Sequence, residues 1–162
     1  MPLVRPAIDP ATLTPRTTSG YPEPFRSRVT PREKRALGDA AGLTKIGVNL
    51  ATLMPGKESS MRHWHTLEDE LIFVVEGEVV LRTEAGEQVL TAGMCAGFPA
   101  GKQDAHQLVN RSSAPARYLE ISNRDPNDAA EYPEVDLAYR KNDVGKHAFF
   151  AKEGVLAHVI FS

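Results

Sequence analysis

Gly56-Lys57-Glu58-Ser59-Ser60-Met61-Arg62-His63-Trp64-His65-Thr66-Leu67-Glu68-Asp69-Glu70-Leu71-Ile72-Phe73-Val74-Val75-Glu76-Gly77 holds a His-x-His pair, a carboxylate five residues later, and an apolar run closed by glycine. In a strand, side chains two apart share a face. His63 and His65 therefore aim side by side while Trp64 points the other way. A turn over Thr66–Asp69 brings Glu70 back on the next strand. Two imidazoles and a carboxylate converging from neighbouring strands suit a divalent metal ion. The competing reading is a solvated loop that happens to be rich in histidine.

Outward from this stretch the chain alternates in short apolar runs. Leu43–Met54 reads as a strand, with Ile46, Val48 and Leu50 in alternation, and Pro55-Gly56 ends it. Glu78–Thr83 and Gln88–Leu90 flank the turn Glu84-Ala85-Gly86-Glu87. Ala96–Pro99, His106–Asn110 and Ala116–Ile121 follow, separated by loops. About eight short strands at roughly 8–12-residue spacing indicate an all-β sandwich or barrel. An open barrel mouth would let inward side chains converge on a ligand.

The two ends differ from this middle. Residues 1–42 form a Pro-rich N-terminal arm, expected to be extended or irregular up to residue 35. Tyr21 and Phe25 argue for an arm packed on the domain or on a partner subunit. The cluster Arg32-Glu33-Lys34-Arg35 reads as a solvated segment, and Gly38–Gly42 as a turn. Residues 43–125 are the barrel and residues 126–162 a C-terminal extension packing on it or across a dimer. Within the extension, Asp128–Tyr132 reads as one helical turn, and Val135–Tyr139, Ala148–Ala151 and Val155–Phe161 as added apolar segments.

Composition narrows the function classes. The 162 residues suit one domain with a sizeable core. A net charge of −2, from 19 basic and 21 acidic residues, gives no footprint for nucleic acid. Cys95 is the only cysteine, so there is no internal disulfide or Cys-rich zinc module; it reads as a small buried hydrophobe. No apolar run is long enough to span a bilayer, and Met1–Pro6 lacks the apolar core of a signal peptide. A soluble cytoplasmic protein with a small-molecule ligand, and no nucleic-acid or membrane partner, is expected.

Two motifs carry a family resemblance. Gly56-x6-His63-x-His65-x4-Glu70-x6-Gly77 resembles the first cupin motif, G-x5-H-x-H-x3,4-E-x6-G, with one extra residue before His63. Gly93-x5-Pro99-x-Gly101-x4-His106-x3-Asn110 is similar to the second, G-x5-P-x-G-x2-H-x3-N, with two extra residues before His106. Met94 stands where many cupins carry an acidic residue. The match spans about residues 43–122. It is nearest to bacterial single-domain cupins that carry a sugar-phosphate isomerase-like (mannose-6-phosphate isomerase-like) label by analogy.

The resemblance implies a double-stranded β-helix, the cupin jelly roll, with one divalent transition metal per chain: Mn, Fe, Ni, Co, Zn or Cu. By position the metal ligands are His63, His65, Glu70 and His106, with Asn110 structural. It also suggests barrel-to-barrel pairing as a homodimer. Of the neighbouring acids, Asp69 should point away from Glu70, and Glu68 shares its parity but falls in the turn. Arg62 and Lys102 flank the ligands and are candidates to hold an anionic substrate, or else two exposed loop cations. His147 and His158 read as surface or packing histidines, and Tyr118 and Arg82 could face either way.

Three functions compete. The first is a metal-dependent small-molecule enzyme of the sugar-phosphate isomerase type, which needs a base beside the metal; Glu78 and Glu120 are candidates. The second is a metal-dependent dioxygenase or other oxidoreductase. The third is a module that binds or senses a small ligand without turnover. The fold by itself licenses none of them.

Overall fold

The computed structural model describes residues 3–152. Twelve strands follow in order: β1 (Arg32–Ala36), β2 (Ile46–Leu53), β3 (Trp64–His65), β4 (Glu70–Glu76), β5 (Glu78–Thr83), β6 (Gly86–Thr91), β7 (Cys95–Phe98), β8 (Gln107–Val109), β9 (Ala116–Asn123), β10 (Ala130–Tyr132), β11 (Leu137–Lys141) and β12 (His147–Phe150). They form three sheets, in the orders β1-β2-β9-β4-β7, β12-β11-β10-β3 and β6-β5-β8, and all pairings are antiparallel. The helices among the described residues are a 3₁₀ turn at Pro10–Thr12 and two short α-helices, α1 (Phe25–Val29) and α2 (Leu37–Ala40). None is long and apolar enough to cross a membrane.

Alternation along β4 sets the interior. Ile72 and Val74 are buried, while Leu71, Phe73 and Val75 remain partly exposed. Glu70 shares the parity of Ile72 and Val74, so it faces the inside of the barrel. A main core gathers around Leu53, Ile72, Val74, Val79, Leu81 and Tyr118. Gly77 makes the sharp connection from β4 to β5 at φ +77°, a backbone region that penalises residues with a Cβ. Asn110 is fully buried. Its side-chain amide donates to the carbonyls of Leu53 and Ala114, and its oxygen accepts from Ser112. It ties two loops together, the structural role expected of it.

A second core joins the two ends of the chain. Tyr21 and Val29 from the N-terminal part pack with Met61, Tyr132, Leu137 and Phe149, and Phe25 packs against them. The arm is therefore seated on its own chain. The Tyr21 hydroxyl donates to that of Tyr132 at 3.2 Å, and the Tyr21 ring lies 4.8 Å from Phe149.

Four local expectations are corrected. Residues 32–36 are not a solvated segment; they form β1, pairing from Arg32↔Leu53 to Ala36↔Asn49. Alternation sends Arg32 and Lys34 to the cavity side, whereas Arg35 pairs with Glu33 at 2.8 Å. The stretch ahead of it is not wholly irregular, since α1 interrupts it. Asp128–Tyr132 is not a helical turn, because Ala130–Tyr132 is needed as the strand between β3 and β11. Weak local helix preference yields to pairing that buries Ala130 and Tyr132. Cys95 is exposed, not buried: on the end strand β7, Ala96 and Phe98 take the inward positions and pack on the core. The expected segments Val135–Tyr139 and Ala148–Ala151 fall at β11 and β12. Val155–Phe161, with His158, lies outside the described residues.

Candidate metal centre

Three backbone relationships bring the donors together. His63 and His106 form an antiparallel bridge, with N–H···O distances of 3.2 and 2.9 Å. His65 closes β3, which pairs with β10 through His65↔Ala130. Glu70 opens β4 and pairs with Phe98 of β7. The Phe98 ring stacks on His106 at 3.5 Å, with 3° between the planes.

The ligand atoms of His63, Glu70 and His106 all lie within 4.8 Å of one another, so these three could hold a metal ion. Glu70 Oε2 is 2.8 Å from His106 Nε2, 3.5 Å from His65 Nε2 and 3.7 Å from His63 Nε2. His65 thus reaches the same oxygen, and its own ligand atoms also group with Glu68 and Asp128 within 4.8 Å. Glu68 accepts from the Asp125 amide and Asp69 from the Ala100 amide.

The donor set has the chemistry of a metal site. His63 donates from Nδ1 to the Met61 carbonyl at 2.9 Å. His65 donates from Nδ1 to Asp128 Oδ2 at 2.5 Å. In the neutral ring each leaves the Nε2 lone pair facing Glu70. Among the described residues Glu70 Oε2 is buried without an assigned hydrogen bond, 2.8 Å from His106 Nε2. A buried carboxylate oxygen with no donor, among imidazole nitrogens, is what a bound cation would satisfy.

Electrostatics set the protonation states. Burial, only partly opposed by Glu70, pushes His63 down to about 3, so it is neutral at physiological pH. Burial alone would raise Glu70, but contact with His106 and the charges of His63 and His65 outweigh it and hold the carboxyl well below its usual range. Burial also opposes charge on His65, yet Asp128 and Glu70 prevail and raise it.

Asp128 was missed by sequence reasoning. Its Oδ2 holds His65, and its Oδ1 accepts from the amides of Leu67 and Glu68, bracing the turn between β3 and β4. It lies in a turn-rich connection more than 60 residues from His65, and no local signal marks it.

The donors open onto a cavity of about 390 Å³. Its wall includes Arg16, Arg32, Lys34, Tyr118, Glu120 and Tyr132. Lys34 Nζ lies 2.7 Å from Glu120 Oε1 and donates to Oε2 at 2.8 Å, and the Tyr118 hydroxyl donates to Oε1 at 3.3 Å. Of the two suggested bases, Glu120 lines the cavity and Glu78 is exposed on the surface.

Neither Arg62 nor Lys102 is brought to this cavity. Arg62 is held by Glu84, Glu134 and the Ala105 carbonyl. The Lys102 side chain is 63% exposed, near Asp104. Arg82 pairs with Glu87 and Gln107. His147 stacks on Tyr139 and bonds the Asp128 carbonyl, a packing histidine as expected.

Fold and site together define a cupin. The family model described as "Cupin domain" matches residues 49–122. The chain is 40% identical to a sugar phosphate isomerase of the cupin superfamily from Silicibacter pomeroyi, over 92% of this chain and 94% of that one, with a TM-score of 0.86. The chain belongs to the cupin superfamily. It is also similar to a protein from Acidithiobacillus ferrooxidans, provisionally named a sugar phosphate isomerase: 29% identity, 81% of each chain, TM-score 0.69. A polyketide cyclase from Streptomyces resistomycificus shares the fold alone, at 15% identity over 75% of this chain and 81% of that one, with a TM-score of 0.62. No curated protein matches the chain.

Proposed function

We propose that this protein is a metal-dependent isomerase acting on a sugar phosphate, with His63, His65, Glu70 and His106 holding one divalent transition metal. The observation that carries this reading is the shared cavity: metal donors and the Lys34–Glu120 pair line one space. The names of its two more similar relatives support the substrate class.

A metal held by these four residues would polarise the substrate's carbonyl and adjacent hydroxyl. Glu120 is the proton carrier. Its carboxylate takes the proton from the carbon beside the carbonyl and returns it to the neighbouring carbon, while the hydroxyl proton passes to the other oxygen. No atom or electron is gained or lost. Lys34 and Tyr118 are positioning residues that hold both carboxylate oxygens. Burial, more than Glu120, raises the Tyr118 phenol well above its usual value, so it stays a donor. Tyr21 and Tyr132 line the same cavity, with the Tyr132 ring stacked on His63 at 5.5 Å.

The test is solvent deuterium exchange. The protein, supplied in turn with Mn, Fe, Co, Ni and Zn, is incubated with aldose and ketose phosphates in D₂O. Interconversion with deuterium entering the carbon beside the carbonyl is expected, and Glu120→Gln should slow it by about 100-fold or more. Substrate-dependent oxygen uptake, or no exchange with any metal and sugar phosphate pair, would overturn the reading.

A further inference from the structure

Among the described residues, a buried arginine in the cavity has no carboxylate counter-ion. Arg32 is 8% exposed and lines the cavity from β1. Among the described residues no carboxylate lies within ion-pair distance of it. Its Nη1 donates to the Ser59 carbonyl at 3.0 Å, while its Nε is buried with no hydrogen-bond partner among the described residues. A guanidinium is charged at any physiological pH, and leaving it buried and unpaired is costly.

Its surroundings add positive charge. Arg16 joins Lys34 by a two-way backbone bridge of 2.9 and 3.0 Å, which sets a second guanidinium-bearing residue on the same wall. Two carboxylates line the cavity; Glu70 faces the imidazoles and Glu120 is taken by Lys34. The wall formed by Arg16, Arg32 and Lys34 therefore keeps a positive surplus in the cavity that the metal donors also line. The hydroxyl-bearing residues Ser59 and Ser60 line the same space.

We propose that Arg32 is the anchor for the substrate's phosphate, with Arg16 as a second, more exposed cation beside it. This rests on the sugar-phosphate reading above and moves the anion site from Arg62 and Lys102 to β1 and the N-terminal arm. A guanidinium fork matches phosphate oxygens with two parallel hydrogen bonds, which the free Nε makes possible. The carbonyl end of the substrate is then left to the metal donors and Glu120. The arm, seated by Tyr21, becomes part of the binding site rather than an appendage.

Titration of the chelator-treated protein with inorganic phosphate tests the anchor apart from the metal and from turnover. Wild type should bind phosphate, and Arg32→Met should weaken binding by about 30-fold or more. Arg32→Lys, which keeps the charge but not the fork, should fall between them. Arg62→Met should bind phosphate as wild type does. Circular dichroism and zinc uptake show whether each variant is folded with its donors intact; if Arg32→Met is not, Arg32→Lys and Arg16→Gln carry the comparison, both weaker than wild type. Unchanged phosphate affinity in the folded Arg32 variants, or no phosphate binding by wild type, would overturn the anchor. Displacement of phosphate by gluconate at equal concentration would also overturn it, in favour of a carboxylate. Isomerisation without an effect of Arg32 sinks the anchor alone, whereas phosphate binding without isomerisation sinks only the reaction.

Discussion

Asp128 Oδ2 lies 2.5 Å from His65 Nδ1, so a residue outside the two cupin motifs orients one of their histidines. A carboxylate behind an imidazole fixes its tautomer and strengthens it as a ligand. Asp128→Asn should therefore lower zinc affinity about 10-fold to 100-fold, measured by competition with a chromophoric chelator. The His65 ring should also titrate lower by NMR. Wild-type zinc affinity in this variant would leave Asp128 only a brace for the turn at Leu67 and Glu68.

His63 makes the metal-free protein sensitive to acid. Its folded value is about 3 against an ordinary 6.5. Between these pH values the unfolded chain binds a proton that the folded chain does not, so stability falls as pH drops. Glu70, held below its ordinary value of 4.5, acts in the same direction at the acid end. His65 is raised, so its contribution has the opposite sign: present in acid and lost as pH rises above about 6.5 through its folded value. Urea midpoints of the chelator-treated protein should decline from pH 6.5 towards pH 4, and His63→Asn should flatten that decline. An equal slope in the variant would show that other groups drive the acid loss.

Gly77 is constrained twice. Its φ of +77° disfavours any other residue, and an added Cβ would lie 3.1 Å from both Ala116 Cα and the Pro115 carbonyl. Gly42 has nearly the same φ, +75°, with nothing within 4 Å of such a Cβ. Gly42→Ala should cost about 1 kcal/mol, and Gly77→Ala clearly more, because steric conflict adds to backbone strain. Equal losses in urea denaturation would mean that β5 can shift away from Pro115.

The motif residues were legible because their signals are local. The period of two in His63-Trp64-His65 and in Glu70–Val75 states which side chains share a face. Tyr21 and Phe25 announced a packed arm for a similar reason, since large rings need burial. Where local signals misled, long-range pairing was the cause. Arg32-Glu33-Lys34-Arg35 looks like a solvated charge cluster, but its alternation also fits a strand, and β2 supplies the partner. Arg62 looked free because Glu84 and Glu134 are far from it in sequence.

Alternation and turn spacing along the chain indicated a sandwich or barrel, and the resemblance of two short stretches to the cupin motifs indicated the jelly roll, the histidine pair and the carboxylate that faces it. The same resemblance pointed to His106 and to a structural Asn110, through motif order. Which cations line the cavity, which carboxylate stands free of the metal donors and what orients His65 were settled by the tertiary structure. Those relationships join the N-terminal arm and the C-terminal extension to the barrel and to each other across gaps of 60 residues and more. Side-chain order along a strand is a local property of the backbone, but the partner across a cavity depends on how the strands assemble.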